Sequence, residues 1–260
     1  MRCIQYAMSV WLAMFLGLVQ GLTEFLPVSS SGHLILFQHL FGIDADMMLF
    51  NIVLHVATLC AVLFVFRRRI WGLVKNPFQK TNFVLVLSTV LTVAFVLAFR
   101  DFIENTFTAS ILPVTFMVTA IILFSTSFVC DKPLLQQGGV SYFSGAMAGL
   151  AQGLAVIPGL SRSGTTIAVL LSTGTRKTDA AEFSFLMSIP IIVAALVYEL
   201  AGSVTTSYVD GFAVGMAFVV ALVSGIFAIR LMLHIVKRIK LYWFSVYLVV
   251  LAILTMFVIQ

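Results

Sequence analysis

Charge is what this sequence has least of. Only 10% of its 260 residues are Asp, Glu, Lys or Arg, against about a quarter in an ordinary globular chain. That scarcity excludes a water-soluble domain, since 61% of the residues are hydrophobic and the mean hydropathy is +1.12. Cysteine is nearly as sparse. Cys3, Cys60 and Cys130 form no CxxC and have no His at metal-ligand spacing, so they read as small apolar residues without a disulfide. Acidic residues number ten, so any that falls inside an apolar run needs a reason to be there. What is present is a polytopic, all-α membrane protein. Its first apolar run has one basic residue, Arg2, and no small-residue cleavage site, which keeps it out of the signal-peptide class.

One acidic residue does fall inside such a run. Gly17–Leu36, GLVQGLTEFLPVSSSGHLIL, places Gln20 and Glu24 on one helix face, then breaks at Pro27 into Ser29, Ser30, Ser31, Gly32 and His33. A second stretch, Gly149–Leu170, GLAQGLAVIPGLSRSGTTIAVL, lies at an offset of 132. Without gaps, Gly17, Leu18, Gln20, Gly21, Leu22, Ser29, Ser31, Gly32 and Ile35 meet identical residues there. The chain is therefore read as one membrane domain of two repeats, 1–131 and 132–260.

Pro27 should end the first helix. Leu34–Phe41, roughly 12 Å long as a helix, is too short to cross a hydrocarbon core of about 30 Å. Met8–Phe41 thus reads as a re-entrant hairpin with a polar tip, and Ser141–Ile157, broken at Pro158-Gly159 and resumed after Gly164, as its counterpart. Met47–Phe66, Phe83–Phe99 and Ile111–Val129 follow the first hairpin as spans; Glu182–Leu200, Phe212–Arg230 and Leu241–Ile259 follow the second. Arg67, Arg68, Arg69, Lys75, Lys80, Lys132, Arg176, Lys177, Lys237, Arg238 and Lys240 fall in loops on one side, with Arg2 and Arg100 on the other. The positive-inside rule makes the first side cytoplasmic. The net charge of +5 thus marks topology and anionic lipid, not nucleic acid. A hairpin plus three spans is an odd number of crossings. The halves then run oppositely, as six transmembrane helices and two re-entrant hairpins in an inverted-topology repeat, tips together near the midplane.

The tips carry the chemistry. Each is Ser-rich and precedes a helix, whose N-terminal N–H groups and partial positive charge suit an anion. Arg162 adds a bidentate fork for phosphate oxygens. Glu24 and His33 are candidate bases and Ser30 a candidate nucleophile. Two plainer readings compete, a structural Gln20–Glu24 pair and an Arg162 that only neutralises Glu24. His39, His55 and His234 read as packing or interfacial residues, and Glu182 and Glu199 as solvated or capping ones.

At these residues the sequence resembles the bacterial undecaprenyl-diphosphate phosphatases, the bacitracin-resistance phosphatases. GLVQGLTEFLPVSSSGHL and PGLSRSGTT look like the family's two signatures, and AAEFSFLMSIP (Ala180–Pro190) also fits. The resemblance implies a hydrolase that removes the terminal phosphate of a C55 isoprenyl diphosphate, regenerating carrier lipid for peptidoglycan synthesis in the bacterial cytoplasmic membrane. Its site would open toward the outer face. Glu24, Ser30, His33 and Arg162 become the catalytic set. Gln20, Ser29, Ser31, Gly32, Ser161, Ser163, Gly164 and Thr166 become the substrate-binding set. The family is linked to Mg²⁺ or Ca²⁺, for which Glu24 is the candidate ligand, although Gln20 stands where two carboxylates could have met. The partners implied are the lipid substrate and the bilayer, with a homodimer compatible. Two mechanisms stay open, attack by Ser30 and attack by water. A flippase of an anionic isoprenyl lipid is the rival from another class.

Overall fold

The computed structural model describes residues 8–43, 47–106, 108–129, 138–201, 210–238 and 241–259. Arg2, Cys3, Cys130, Lys132, Lys240 and the boundary between residues 131 and 132 lie outside them. The described residues form twelve α-helices and no named strand. Two short pairs open the two halves: α1 (Val10–Phe25) with α2 (Ser30–Leu40), and α8 (Tyr142–Leu154) with α9 (Arg162–Ser172). The long helices are α3 (Met48–Val65), α5 (Lys80–Ala98), α7 (Leu112–Val129), α10 (Lys177–Ala201), α11 (Gly211–Arg238) and α12 (Tyr242–Val258). Five segments are long and apolar enough to cross a membrane, and α12 is an apolar helix of 17 residues. This is a multi-pass membrane protein, and its outer surface is apolar to match, from Val86 and Val90 on α5 to Phe257 on α12.

Each short pair is a hairpin. On the first, Phe15 of α1 packs edge-on against Phe37 and Phe41 near the end of α2. On the second, Ser144 near the start of α8 donates to the Thr173 carbonyl just after α9, at 3.4 Å. Glycine lets both outgoing helices lie against a long helix of the other half. A Cβ on Gly17 would sit 2.4 Å from the Ala217 carbonyl oxygen on α11, and one on Gly149 would sit 2.5 Å from that of Ser88 on α5. Neither position admits a side chain.

The long helices depart from expectation at their ends. Arg67, Arg68 and Arg69 do not lie in a loop but open α4 (Arg67–Lys75), because Ile70 packs on the core and Leu73 is buried, giving that turn an apolar side. α10 begins at Lys177, five residues before Glu182, with Asp179 in its first turn and Ala180 and Ala181 buried. Arg230 does not end α11, since Ile229, Met232 and Val236 continue a buried stripe. Two of the basic residues expected on one side make contacts between helices. Arg69 pairs with Glu182 at 2.7 Å and Lys80 lies over the Tyr142 ring at 5.7 Å, joining the starts of α4, α5, α8 and α10.

Candidate active site

The two hairpin tips meet inside the bundle. Pro27 does end α1: Leu26 turns extended, with ψ of 149°. Ser29 sits at φ 68°, ψ 101°, a left-handed backbone that a non-glycine residue holds only under strain. Its hydroxyl caps α2 by accepting from the Gly32 N–H at 3.3 Å. Ser161 repeats the cap on α9, accepting from the Gly164 N–H at 3.1 Å. The neighbouring hydroxyls repeat too, Ser29 to Ser31 and Ser161 to Ser163, both at 3.4 Å. Ser163 ties the tips together by donating to the Leu26 carbonyl at 2.9 Å. At Gly32 a Cβ would fall 2.9 Å from the Gly159 Cα. Backbone therefore meets backbone where the two breaks touch.

Glu24 is the hub of this contact. Its Oε1 accepts from Arg162 Nη2, and its Oε2 accepts from Ser30 Oγ at 2.5 Å and from Gln20 Nε2 at 3.0 Å. Arg162 and Glu24 are 138 residues apart in sequence, yet form an ion pair whose side chains are 15% and 6% exposed. A buried pair of this kind holds only when its remaining polar atoms are also met. Gln20 Oε1, Gln152 Oε1 and Arg162 Nη1 are buried with no hydrogen-bond partner among the described residues. One nitrogen of the guanidinium is thus left without an acceptor among the described residues.

Glu24 and Arg162 line a cavity of about 230 Å³, walled on its polar side also by Ser29, Ser30, Ser31, Ser161 and Ser163, and on its apolar side by Ile191, Ile192, Ala195 and Leu196 of α10. Ser30 and Arg162 share it, as the repeat offset requires. Other residues singled out from sequence sit behind the wall. Gln20 is fully buried and reaches the cavity through Glu24. Gly32 packs on Phe116, and Gly164 on Pro27. Thr166 bonds to Ser184 at 2.6 Å and to the Arg162 carbonyl at 2.8 Å, bracing α9. His33 is not on the wall either. Its Nδ1 lies 2.7 Å from the Ser29 carbonyl and its Nε2 lies 2.6 Å from the Tyr247 hydroxyl, on which the ring stacks.

Two wall residues escaped sequence reasoning. His55 lines the cavity from α3, its Nδ1 3.2 Å from Gln20 Nε2 and 3.9 Å from Glu24 Oε2. No motif surrounds it; the one signal was a histidine in the middle of an apolar span, which is costly without a partner. Gln152 lines the cavity as well and donates to Thr92 Oγ1 at 3.3 Å. Its register with Gln20 in the repeat was the available signal.

An all-helical membrane protein with two hairpin tips closed on a buried Arg–Glu–Ser cluster defines the class: an integral membrane protein with a polar, charged site in its interior. The particular family follows from comparison with known proteins. The profile of the bacitracin resistance protein BacA family matches residues 13–254, and the chain belongs to that family. It is similar to the undecaprenyl-diphosphatase of Carboxydothermus hydrogenoformans, 39% identical over 259 residues that cover 97% of this chain and 98% of the relative. It is also similar to those of Treponema denticola, 38% identical over 93% of this chain and 94% of the relative, and Bacteroides thetaiotaomicron, 38% identical over 91% and 94%.

Proposed function

We propose that the protein is an undecaprenyl-diphosphatase, hydrolysing the terminal phosphate of the C55 isoprenyl diphosphate to give undecaprenyl phosphate and inorganic phosphate. The observation that carries this reading is that Ser30, Glu24 and Arg162, from two hairpins far apart in sequence, converge on one cavity. They are a hydroxyl, the carboxylate that holds its proton, and a cation with a donor to spare. A flippase needs the cation but has no use for a hydroxyl held 2.5 Å from a carboxylate.

Ser30 Oγ attacks the terminal phosphorus as its proton passes to Glu24 Oε2, and the bond from phosphorus to the bridging oxygen breaks, releasing undecaprenyl phosphate. Water then displaces Ser30 from phosphorus. Ser30 takes the proton back from Glu24, and the water's own proton leaves on the phosphate. Arg162 Nη1 and the N–H groups opening α2 and α9 hold the charge that develops on the equatorial oxygens. The short Ser30–Glu24 hydrogen bond favours this route over attack by water with Glu24 as base. His33 acts at a distance here, fixing the strained Ser29 backbone through its bond to the Ser29 carbonyl. A divalent ion fits the chemistry of the wall, which offers the Glu24 carboxylate and Gln152, whose buried Oε1 has no partner among the described residues. Glu24 and the substrate phosphates would hold Mg²⁺ or Ca²⁺, which would offset phosphate charge.

The wider architecture proposed is six spans and two re-entrant hairpins in an inverted repeat of residues 1–131 and 132–260, in the bacterial cytoplasmic membrane. The paired contacts of α1 on α11 and α8 on α5 support it, as do the duplicated serine caps. With the basic end cytoplasmic, the first hairpin enters from the outer face, so the substrate arrives from the outer leaflet with its tail left in lipid. The test is inorganic phosphate release from undecaprenyl or farnesyl diphosphate by purified protein in detergent micelles, where no gradient exists. Turnover is expected. Tight lipid binding without phosphate release would favour the flippase.

A further inference from the structure

Hydrogen bonding at Gln20 fixes the state of His55. The Gln20 amide nitrogen lies 3.0 Å from Glu24 Oε2 and 3.2 Å from His55 Nδ1, and an NH₂ group has one hydrogen for each. Turning the amide over would set its carbonyl oxygen against a carboxylate oxygen, so the NH₂ end belongs there. His55 Nδ1 is then an acceptor, and the ring proton sits on Nε2. That nitrogen makes no hydrogen bond among the described residues, and the His55 side chain is 32% exposed on the cavity wall. The ring lines the same cavity as Ser30 and Arg162, and Nε2 is its one nitrogen left without a partner among the described residues. His33 offers nothing comparable, with both ring nitrogens already within hydrogen-bond distance of Ser29 and Tyr247.

We propose that His55 is a further catalytic residue, a neutral imidazole whose Nε2–H donates to a phosphoryl oxygen of the substrate. The Gln20 amide acts as its positioning partner, holding Glu24 with one hydrogen and the His55 tautomer with the other. This rests on the phosphatase reading of the same site.

Two substitutions separate this role from a structural one. His55→Gln can place an amide N–H near the position of Nε2 but loses the acceptor at Nδ1. His55→Asn keeps an acceptor near Nδ1 but loses the donor at Nε2. If His55 serves the substrate, kcat/KM for farnesyl diphosphate in micelles falls roughly 10²–10³-fold in His55→Asn. It stays within about tenfold of the parent in His55→Gln, which replaces the donor. If His55 merely holds Gln20, the order reverses. A reversed order, equal losses, or two variants at the parental rate would each overturn the proposal. Unfolding midpoints of both variants show that the comparison is between folded proteins. Binding of a farnesyl methylenediphosphonate, which cannot be hydrolysed, is measured alongside. A parent that releases no phosphate yet binds this analogue, more weakly in Asn than in Gln, would sink the phosphatase reading while sparing the His55 contact.

Discussion

Removing Arg162 should damage stability and turnover by separate routes. Its side chain is 15% exposed and holds Glu24, itself 6% exposed, through Nη2, while Nη1 is buried without a partner among the described residues. Arg162→Ala leaves the Glu24 carboxylate buried with hydrogen bonds from Ser30 and Gln20 but no countercharge. Breaking a buried pair on one side costs about 3–5 kcal/mol of stability. The loss of transition-state stabilisation is about 3–4 kcal/mol, or 10²–10³ in kcat/KM at about 1.4 kcal/mol per decade. Adding Glu24→Gln removes the stranded charge, so the double variant should unfold later than Arg162→Ala alone while remaining inactive. Scanning fluorimetry of the variants in one detergent gives the stability cycle, and phosphate release gives the catalytic one. Equal stability of parent, single and double variants would mean the ion pair does not form in the folded protein.

Other outcomes follow from the same geometry. Arg162→Lys keeps the charge but not the fork, so it should hold more stability than Arg162→Ala and still turn over poorly, by the same two assays. Ser30→Ala should leave only a trace of phosphate release, and acid quench of the parent with labelled substrate should trap phosphoserine at Ser30; robust turnover by Ser30→Ala would move the attack to water. Gln20→Glu should tighten the apparent Mg²⁺ or Ca²⁺ dependence of turnover by adding a carboxylate beside Glu24, and an unchanged titration would place any ion elsewhere.

Much of the site was legible before the structure because the sequence repeats itself. An offset that superposes Gln20 on Gln152 and Ser29 on Ser161 already pairs the tips, and Pro27 marks where α1 must stop. Proximity of Glu24 and Arg162 rested on that symmetry, since nothing local links residues so distant. What sequence could not supply was side-chain direction. His33 sits within the tip motif yet turns toward Tyr247, whereas His55, in an apolar span with no motif, turns toward Gln20. Both outcomes depend on helix rotation, which hydrophobic spacing leaves undetermined when nearly every face is apolar. One helix end misled for a related reason: Arg230 looks like a stop, but one buried side suffices to continue α11 past it, as Met232 does, whereas α3 does end before Arg67–Arg69, which open α4 instead of a loop.

The most direct measurement is an experimental structure with a phosphate analogue such as orthovanadate in the site. The account predicts the analogue between the two tips, its central atom in line with Ser30 Oγ, with Arg162 Nη1 and the first N–H groups of α2 and α9 as its donors. An analogue bound outside this cavity, or bound within it while Ser30 and Arg162 point elsewhere, would contradict the account.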